Sequence, residues 1–390
     1  MARRRFARIA AAGAASIALA SCSILAPAAD EASEAPCRGW NVVASPNVGP
    51  GNNFLTAVAA SSPSDVWAVG VYRAGSGRSR PLTMHFDGRS WRAATVEIVG
   101  RDAFLNGVWT RSPTDAWAVG ADRGADGVAR SLVLHWDGRV WARTPSPNAS
   151  EGDNFLTSVT GSSDGTIWAA GYDEERGRFH ALLMRHDGSG WTVERTPDPP
   201  GLGAGLNAVV AANDGGLWAA GAYTPNASPT RPLILRGSMD GWRVSPSPAT
   251  PDAPSSISGL TATPGGLVAV GAFRALRGDG ALALARASGR WSFVPRSTVG
   301  RVSESFSAVA TSSPGVVYAV GSYSDGVLQR TLVERMSGTS WTHVATPNVP
   351  GSDSKLFGVT ALPSGEVWAV GNASGADAVE RTLVERFCPA

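Results

Sequence analysis

Cationic side chains recur along this 390-residue chain at Arg80, Arg130, His180, Arg231, Arg330 and Arg381, each two residues before the first leucine of an apolar run; Gly280 breaks the series. Guanidinium groups hold carboxylate and phosphate through paired N–H donors. A ring of them could therefore bind an anionic wall polysaccharide or phospholipid headgroups. The same periodicity would serve the repeat itself if each cation paired with, or stacked on, the next repeat. A second set is acidic: Asp102, Asp153, Glu304 and Asp353 begin equivalent runs. Two such carboxylates about 5–10 Å apart would form a glycosidase-like pair.

Other chemistries find little support. His85 and His135 sit at equivalent positions of different repeats, and His180 and His186 at opposite ends of one run, so the histidines do not predict a zinc or copper site. Asp173-Glu174-Glu175 lacks calcium-loop spacing. Gly201, Gly203 and Gly205 imitate part of a dinucleotide fingerprint, but no helix follows them. No serine-hydrolase elbow or phosphate loop is present, and no catalytic residue, metal or cofactor is predicted. A net charge of +2 selects no nucleic acid.

The elements that position these residues follow from a period of about 50. DVWAVG at 65–70 returns as DAWAVG, TIWAAG, GLWAAG, GLVAVG, VVYAVG and EVWAVG, and its aromatic or valine falls at 67, 117, 168, 218, 268, 318 and 368. Each repeat reads as four strands. Strand A is FLTAVAA-like (54–60), B is the WAVG run, C is PLTMHF-like (81–86), and D opens at a tryptophan such as Trp91. Asp-Gly or Ser-Gly between C and D suits a tight hairpin, and proline after D suits an outermost strand. With 46 Gly, 26 Pro and 17% charged residues, the composition is turn-rich and all-β. Strands apolar on both faces must be covered twice. This predicts a closed seven-bladed β-propeller of four-stranded antiparallel blades.

The seventh repeat stops after strand C, at Phe387-Cys388-Pro389-Ala390. GWNVVASPN at 39–47 matches SWTHVATPN at 340–348, so the N-terminal strand is expected to complete the last blade. Cys37 and Cys388 then occupy the two positions of the C–D turn, which predicts a disulfide between them.

Residues 1–21 read as an export signal: Arg3, Arg4, Arg5 and Arg8, then a 12-residue apolar stretch from Ile9 to Ala20, too short to span a bilayer. Leu19-Ala20-Ser21-Cys22 resembles the bacterial lipobox, which implies acylation of Cys22 (palmitate included) and anchoring to the lipid bilayer. An ordinary signal peptide cut after Ala28 is the alternative, and Arg3-Arg4-Arg5-Phe6 resembles a twin-arginine motif. Residues 22–36 would be a flexible tether and 37–390 the propeller domain.

Over 37–390 the register of Trp-Ala-Val-Gly, Asp-Gly and Trp resembles kelch-type propellers, the fold of the central domain of galactose oxidase. The resemblance implies fold alone. The kelch Gly-Gly doublet is absent, because Gly70 and its six equivalents are followed by other residues, and no cysteine is spare for a Cys–Tyr copper site. The expected function is that of a monomeric, membrane-anchored, extracytoplasmic binding or scaffold module for an envelope glycan, wall polymer or protein. The D–A and B–C loops would form its binding face. An envelope hydrolase, lyase or oxidase working at the channel mouth is the alternative.

Overall fold

The computed structural model describes residues 37–94, 96, 102–212, 214–226, 228–238, 241–248, 253–275, 278–300, 302–312 and 315–389. The export signal, Cys22 and the tether lie outside the described residues. Every regular element described is a β-strand, as the turn-rich, helix-poor composition requires.

Five sheets have four strands and a sixth has eight. The large sheet is two four-stranded repeats joined by a single parallel bridge between Phe179 and Gly203, so all seven repeats carry the A–B–C–D meander. In repeat 1 these are Asn53–Ser62, Asp65–Arg73, Ser79–Phe86 and Trp91–Ala94. The last sheet takes its fourth strand from the other end of the chain. Gly39–Val42 pairs antiparallel with Glu380–Cys388, with Gly39 opposite Cys388. The predicted disulfide is present, with the Cys37 and Cys388 Cα atoms 5.6 Å apart. It stands where the other repeats have a covalent C–D turn.

Sheets pack face to face. One core cluster joins Leu82, Met84, Phe86 and Trp91 of repeat 1 to Trp368 and Val370 of repeat 7. Another joins Leu132, Leu134 and Trp141 of repeat 2 to Trp67 and Val69 of repeat 1. Each strand-B aromatic thus lies against the strand-D tryptophan of the next repeat, as in the edge-on contacts of Trp67 with Trp141 and Trp368 with Trp91. Such pairs add about 1 kcal/mol each beyond the area they bury.

All seven A strands carry a bulge at the same place, between Leu55 and Ala57 in the first and Leu356 and Gly358 in the last. A bulge re-aims one side chain. Here it turns Thr56, Asn106, Thr157, Asn207, Ser258, Ser307 and Phe357 onto one axial cavity of about 260 Å³. The glycine that ends each WAVG run follows from the same contact. A Cβ on Gly70 would sit 2.9 Å from the Leu55 Cα and closer still to the Phe54 carbonyl oxygen, and the equivalent glycines meet the same clash.

Candidate functional site

The polar bulge residues are tied sideways. Thr56 Oγ1 donates to Leu105 O at 2.8 Å, Asn106 Nδ2 to Leu156 O at 2.8 Å, Thr157 Oγ1 to Leu206 O at 2.9 Å and Asn207 Nδ2 to Ile257 O at 2.7 Å. Each bond crosses to the next repeat. Over repeats 1 to 5 these bonds wall the axial cavity and fix neighbouring repeats against one another, whereas repeat 7 presents Phe357 there.

On the D–A/B–C face a second set of crossing bonds explains the predicted carboxylates. Asp102 Oδ1 accepts from Ser79 N at 2.8 Å, Asp153 Oδ1 from Ala129 N at 2.8 Å and Asp353 Oδ1 from Gln329 N at 2.7 Å. Each carboxylate on one A strand clasps the start of strand C in the preceding repeat. Asn52 completes the column by accepting from Glu380 N at 3.2 Å, linking repeat 1 to repeat 7. Glu304 stands one residue further on. It accepts from Val299 N and Gly300 N at 2.7 and 2.9 Å and bonds the buried Arg296, which also holds Glu334. Burial would raise the Glu304 pKa, but the arginine and the two amides outweigh it and hold the carboxyl below its ordinary value.

The arginine column is partnered within its own repeat, not by the next one as the spacing had suggested. Arg130 pairs with Asp126 at 2.6 Å, Arg330 with Asp325 at 2.8 Å and Arg381 with Asp377 at 2.5 Å, all in the B–C loop just upstream. The Arg130 hydrogen bond, followed by the Val128 amide, holds the Asp126 carboxyl at about 2. His180 lies 3.8 Å from Asp198, Arg231 is exposed, and Arg80 lines a cavity with Tyr72 and Val96.

On the opposite face, His85 Nε2 meets Asp65 Oδ1 at 2.7 Å and Ser61 Oγ donates to Asp65 Oδ2. The carboxylate, not the histidine, is central, so the imidazole cannot take the serine proton as a nucleophile–base pair requires. His85 stacks on Trp67, and repeat 2 has the same arrangement in His135, Asp115 and Trp117. The recurrence marks these as packing motifs. Among the described residues no three His, Cys, Asp or Glu side chains gather as a metal cluster.

Three repeats carry no carboxylate or amide in this column, with Gly203, Pro254 and Ser303 in its place, and the first of these differs from the other two. Gly203 occupies the column of Asp102, Asp153 and Asp353, and the Phe179 backbone pairs with it directly. A groove of about 460 Å³ opens there, walled by Tyr172, Phe179, Leu202 and Tyr223 and floored by Gly203 and Gly205. Phe179 is 45% exposed and Leu202 62%. Tyr172 and Phe179 meet edge-on at 5.6 Å and 84°, and the row continues through Phe155 of the same repeat at 5.2 Å to Phe104 of repeat 2 at 6.1 Å. Burial pushes the Tyr172 hydroxyl above its ordinary pKa, so it remains a neutral donor. None of the residues described as lining the groove is charged. Asn207 lines both this groove and the axial cavity, so the two adjoin at that side chain.

The carboxylate and arginine columns predicted from the sequence therefore share a face with this groove but do not line it. The groove was signalled by Gly203 in an aspartate column, Gly205 in the column of Phe54, Phe104 and Phe155, and Phe179 in the column of Ser79 and Ala129.

No family model matches the sequence, and no curated protein matches it. Solved structures do. One described as YCF48 bound to D1 peptide superposes with a TM-score of 0.56 at 14% identity, over 91% of this chain and 99% of that one. YCF48 from Cyanidioschyzon merolae gives 0.54 at 15% identity, over 90% and 99%. The polysaccharide lyase Uly1 gives 0.53 at 11%, over 87% and 90%. At these identities the likeness is one of fold: all-β and propeller-like.

Proposed function

We propose that this chain is an exported binding module. In this reading Cys22 carries the lipid anchor, the seven repeats close into one ring through the shared last sheet, and the groove between repeats 3 and 4 holds an uncharged segment of an envelope protein. The observation that carries the reading is the neutral, aromatic-walled groove at the interface where Gly203 stands in the aspartate column and pairs with the Phe179 backbone. Ligand sites are concave and apolar with a few placed polar groups; here Asn207 and the Tyr172 and Tyr223 hydroxyls would serve as those groups. Rings set at 84° make a socket for an aliphatic or aromatic side chain rather than a flat platform for a sugar. The carboxylates that an enzyme would need are engaged with backbone amides, which supports binding over hydrolysis or elimination. The solved complex described as YCF48 bound to D1 peptide supports a peptide ligand on a related fold, and no more than that.

The test is a tiled array of exported-protein peptides beside an array of neutral and anionic glycans, probed with the acylated protein in detergent. Specific peptides should bind, and Tyr172→Ala and Phe179→Ala should weaken them by about tenfold or more. Binding of glycans alone would contradict the ligand class, and unchanged binding by both variants would contradict the site.

A further inference from the structure

The strand-C position held by Met84, Leu134, Met184, Leu235 and Leu284 in the first five repeats is glutamate in the last two, Glu334 and Glu385. Met84 and Leu134 at this position face the preceding repeat. Glu334 meets a counter-charge there: Arg296 Nε donates to its Oε2 at 3.1 Å, and the same guanidinium bonds Glu304. One repeat later, Thr346 replaces Arg296 and Ser354 replaces Glu304. The acid has been kept and the arginine has not.

Glu385 is completely buried and neither of its oxygens has a hydrogen-bond partner; the buried Ser354 Oγ lacks one too. An unpaired buried charge is far costlier than a paired one. The Thr331 hydroxyl acts on the Glu385 carboxyl, and it stands among further oxygens. Thr331, also buried, shares a 2.7 Å hydrogen bond with Thr346 Oγ1 and donates to Asn348 Oδ1 at 3.3 Å. Several charged groups on neighbouring elements are committed elsewhere. Arg330 pairs with Asp325, Arg381 with Asp377, Arg386 with Glu366, Asp353 takes Gln329 N, Glu380 accepts from Asn372 Nδ2, and His343 stands edge-on to Tyr323.

We propose that the interface between repeats 6 and 7 is a buried monovalent-cation site. In it Glu385 is the anionic ligand, the hydroxyls of Thr331, Thr346 and Ser354 supply neutral oxygens, and the ion replaces the guanidinium that Arg296 provides one interface earlier. Oxygen-only ligation selects a hard ion such as Na⁺ or K⁺ over a transition metal. A single carboxylate neutralises one charge, so a divalent ion would leave a net positive charge in an apolar interface. The groove reading is not a premise of this assignment.

Protons compete for the same oxygens. Burial pushes the Glu385 carboxyl up to about 8, against a smaller opposing contribution from Thr331. A carboxyl raised in the folded state stabilises it while protonated, so stability falls as pH rises from its ordinary value of 4.5 towards 8. The ion should offset that fall.

Thermal unfolding of the full acylated protein is measured near pH 9 in NaCl, KCl and choline chloride at equal ionic strength, because choline is too large to enter. The midpoint in Na⁺ or K⁺ should exceed that in choline by about 2 °C or more, with no such difference near pH 5. Glu385→Gln should abolish the cation response. Thr346→Arg, which copies the arrangement around Glu334, should also abolish it and leave a folded protein even if Glu385→Gln does not fold. Identical midpoints in all three salts would show a plain buried acid and overturn the proposal. So would a cation response that persists in Thr346→Arg.

Discussion

Phe179 and Gly203 form the single parallel bridge that fuses two repeats into one eight-stranded sheet. At three equivalent interfaces an aspartate side chain takes the amide of the preceding strand. Where glycine replaces aspartate, the backbones approach directly and the space above them becomes the groove floor. Gly203→Asp would place a Cβ 3.2 Å from the Phe179 Cβ and carbonyl oxygen and 3.3 Å from its nitrogen, so the two backbones must part by a few tenths of an ångström. The variant should fold with a loss of about 1–3 kcal/mol in urea unfolding, while its carboxylate fills the groove and abolishes ligand binding. Retained binding would remove the groove from consideration.

The Cys37–Cys388 bridge spans a separation of 351 residues. In the chain-entropy model a loop of that length is worth about 5 kcal/mol at the upper end. Cys37→Ser with Cys388→Ser should lower the unfolding midpoint markedly and make the protein insensitive to reductant. Hydrogen exchange should show the loss first in Gly39–Val42 and Glu380–Cys388, the two strands the bridge secures.

Arg296 neutralises two buried glutamates. Arg296→Leu strands both, at a cost of about 3–5 kcal/mol. The sign of the pH dependence follows from burial. Without the guanidinium, desolvation would raise the folded-state pKa of Glu304, so the variant should be closest to wild type near pH 4–5 and lose stability as pH rises above the ordinary carboxyl value. A deficit independent of pH between 5 and 8 would contradict this role.

The exposed Arg130–Asp126 and Arg381–Asp377 pairs should behave differently. Arg130→Ala and Arg381→Ala are expected to leave the unfolding midpoint within error, since exposed pairs contribute little. Carboxyl NMR titration of the Arg130→Ala variant should show the Asp126 pKa rising from about 2 towards its ordinary value. Loss of binding to anionic polymers on these substitutions would instead give the arginine column a ligand-binding role.

The period of about 50 made the strands, their order and the cysteine pairing legible in the sequence, because each feature recurs or is completed once. WAVG marks a strand-B position where a Cβ cannot fit, and Cys37 and Cys388 fall on a turn that the other repeats make covalently. The site was harder to read because it resides in departures from the repeat. Gly203 breaks a column whose purpose, clasping backbone amides, is visible only in three dimensions. Glu385 looks like Glu334 in sequence, and its isolation depends on Thr346, 39 residues upstream but across the interface. The Asp-x-x-x-Arg spacing of Asp126 with Arg130 and Asp377 with Arg381 was present in the sequence, and it anticipates their ion pairs better than any inter-repeat contact.

The most direct test of the groove is site-specific photocrosslinking in living cells. A photoreactive residue at Leu202, on the groove wall, is compared with one at Val140, an exposed position in the C–D turn just before Trp141. Binding in the groove predicts a discrete adduct with one envelope protein from position 202, absent from position 140 and abolished by Gly203→Asp. Equal adducts from both positions, or an adduct at 202 that survives Gly203→Asp, would contradict it.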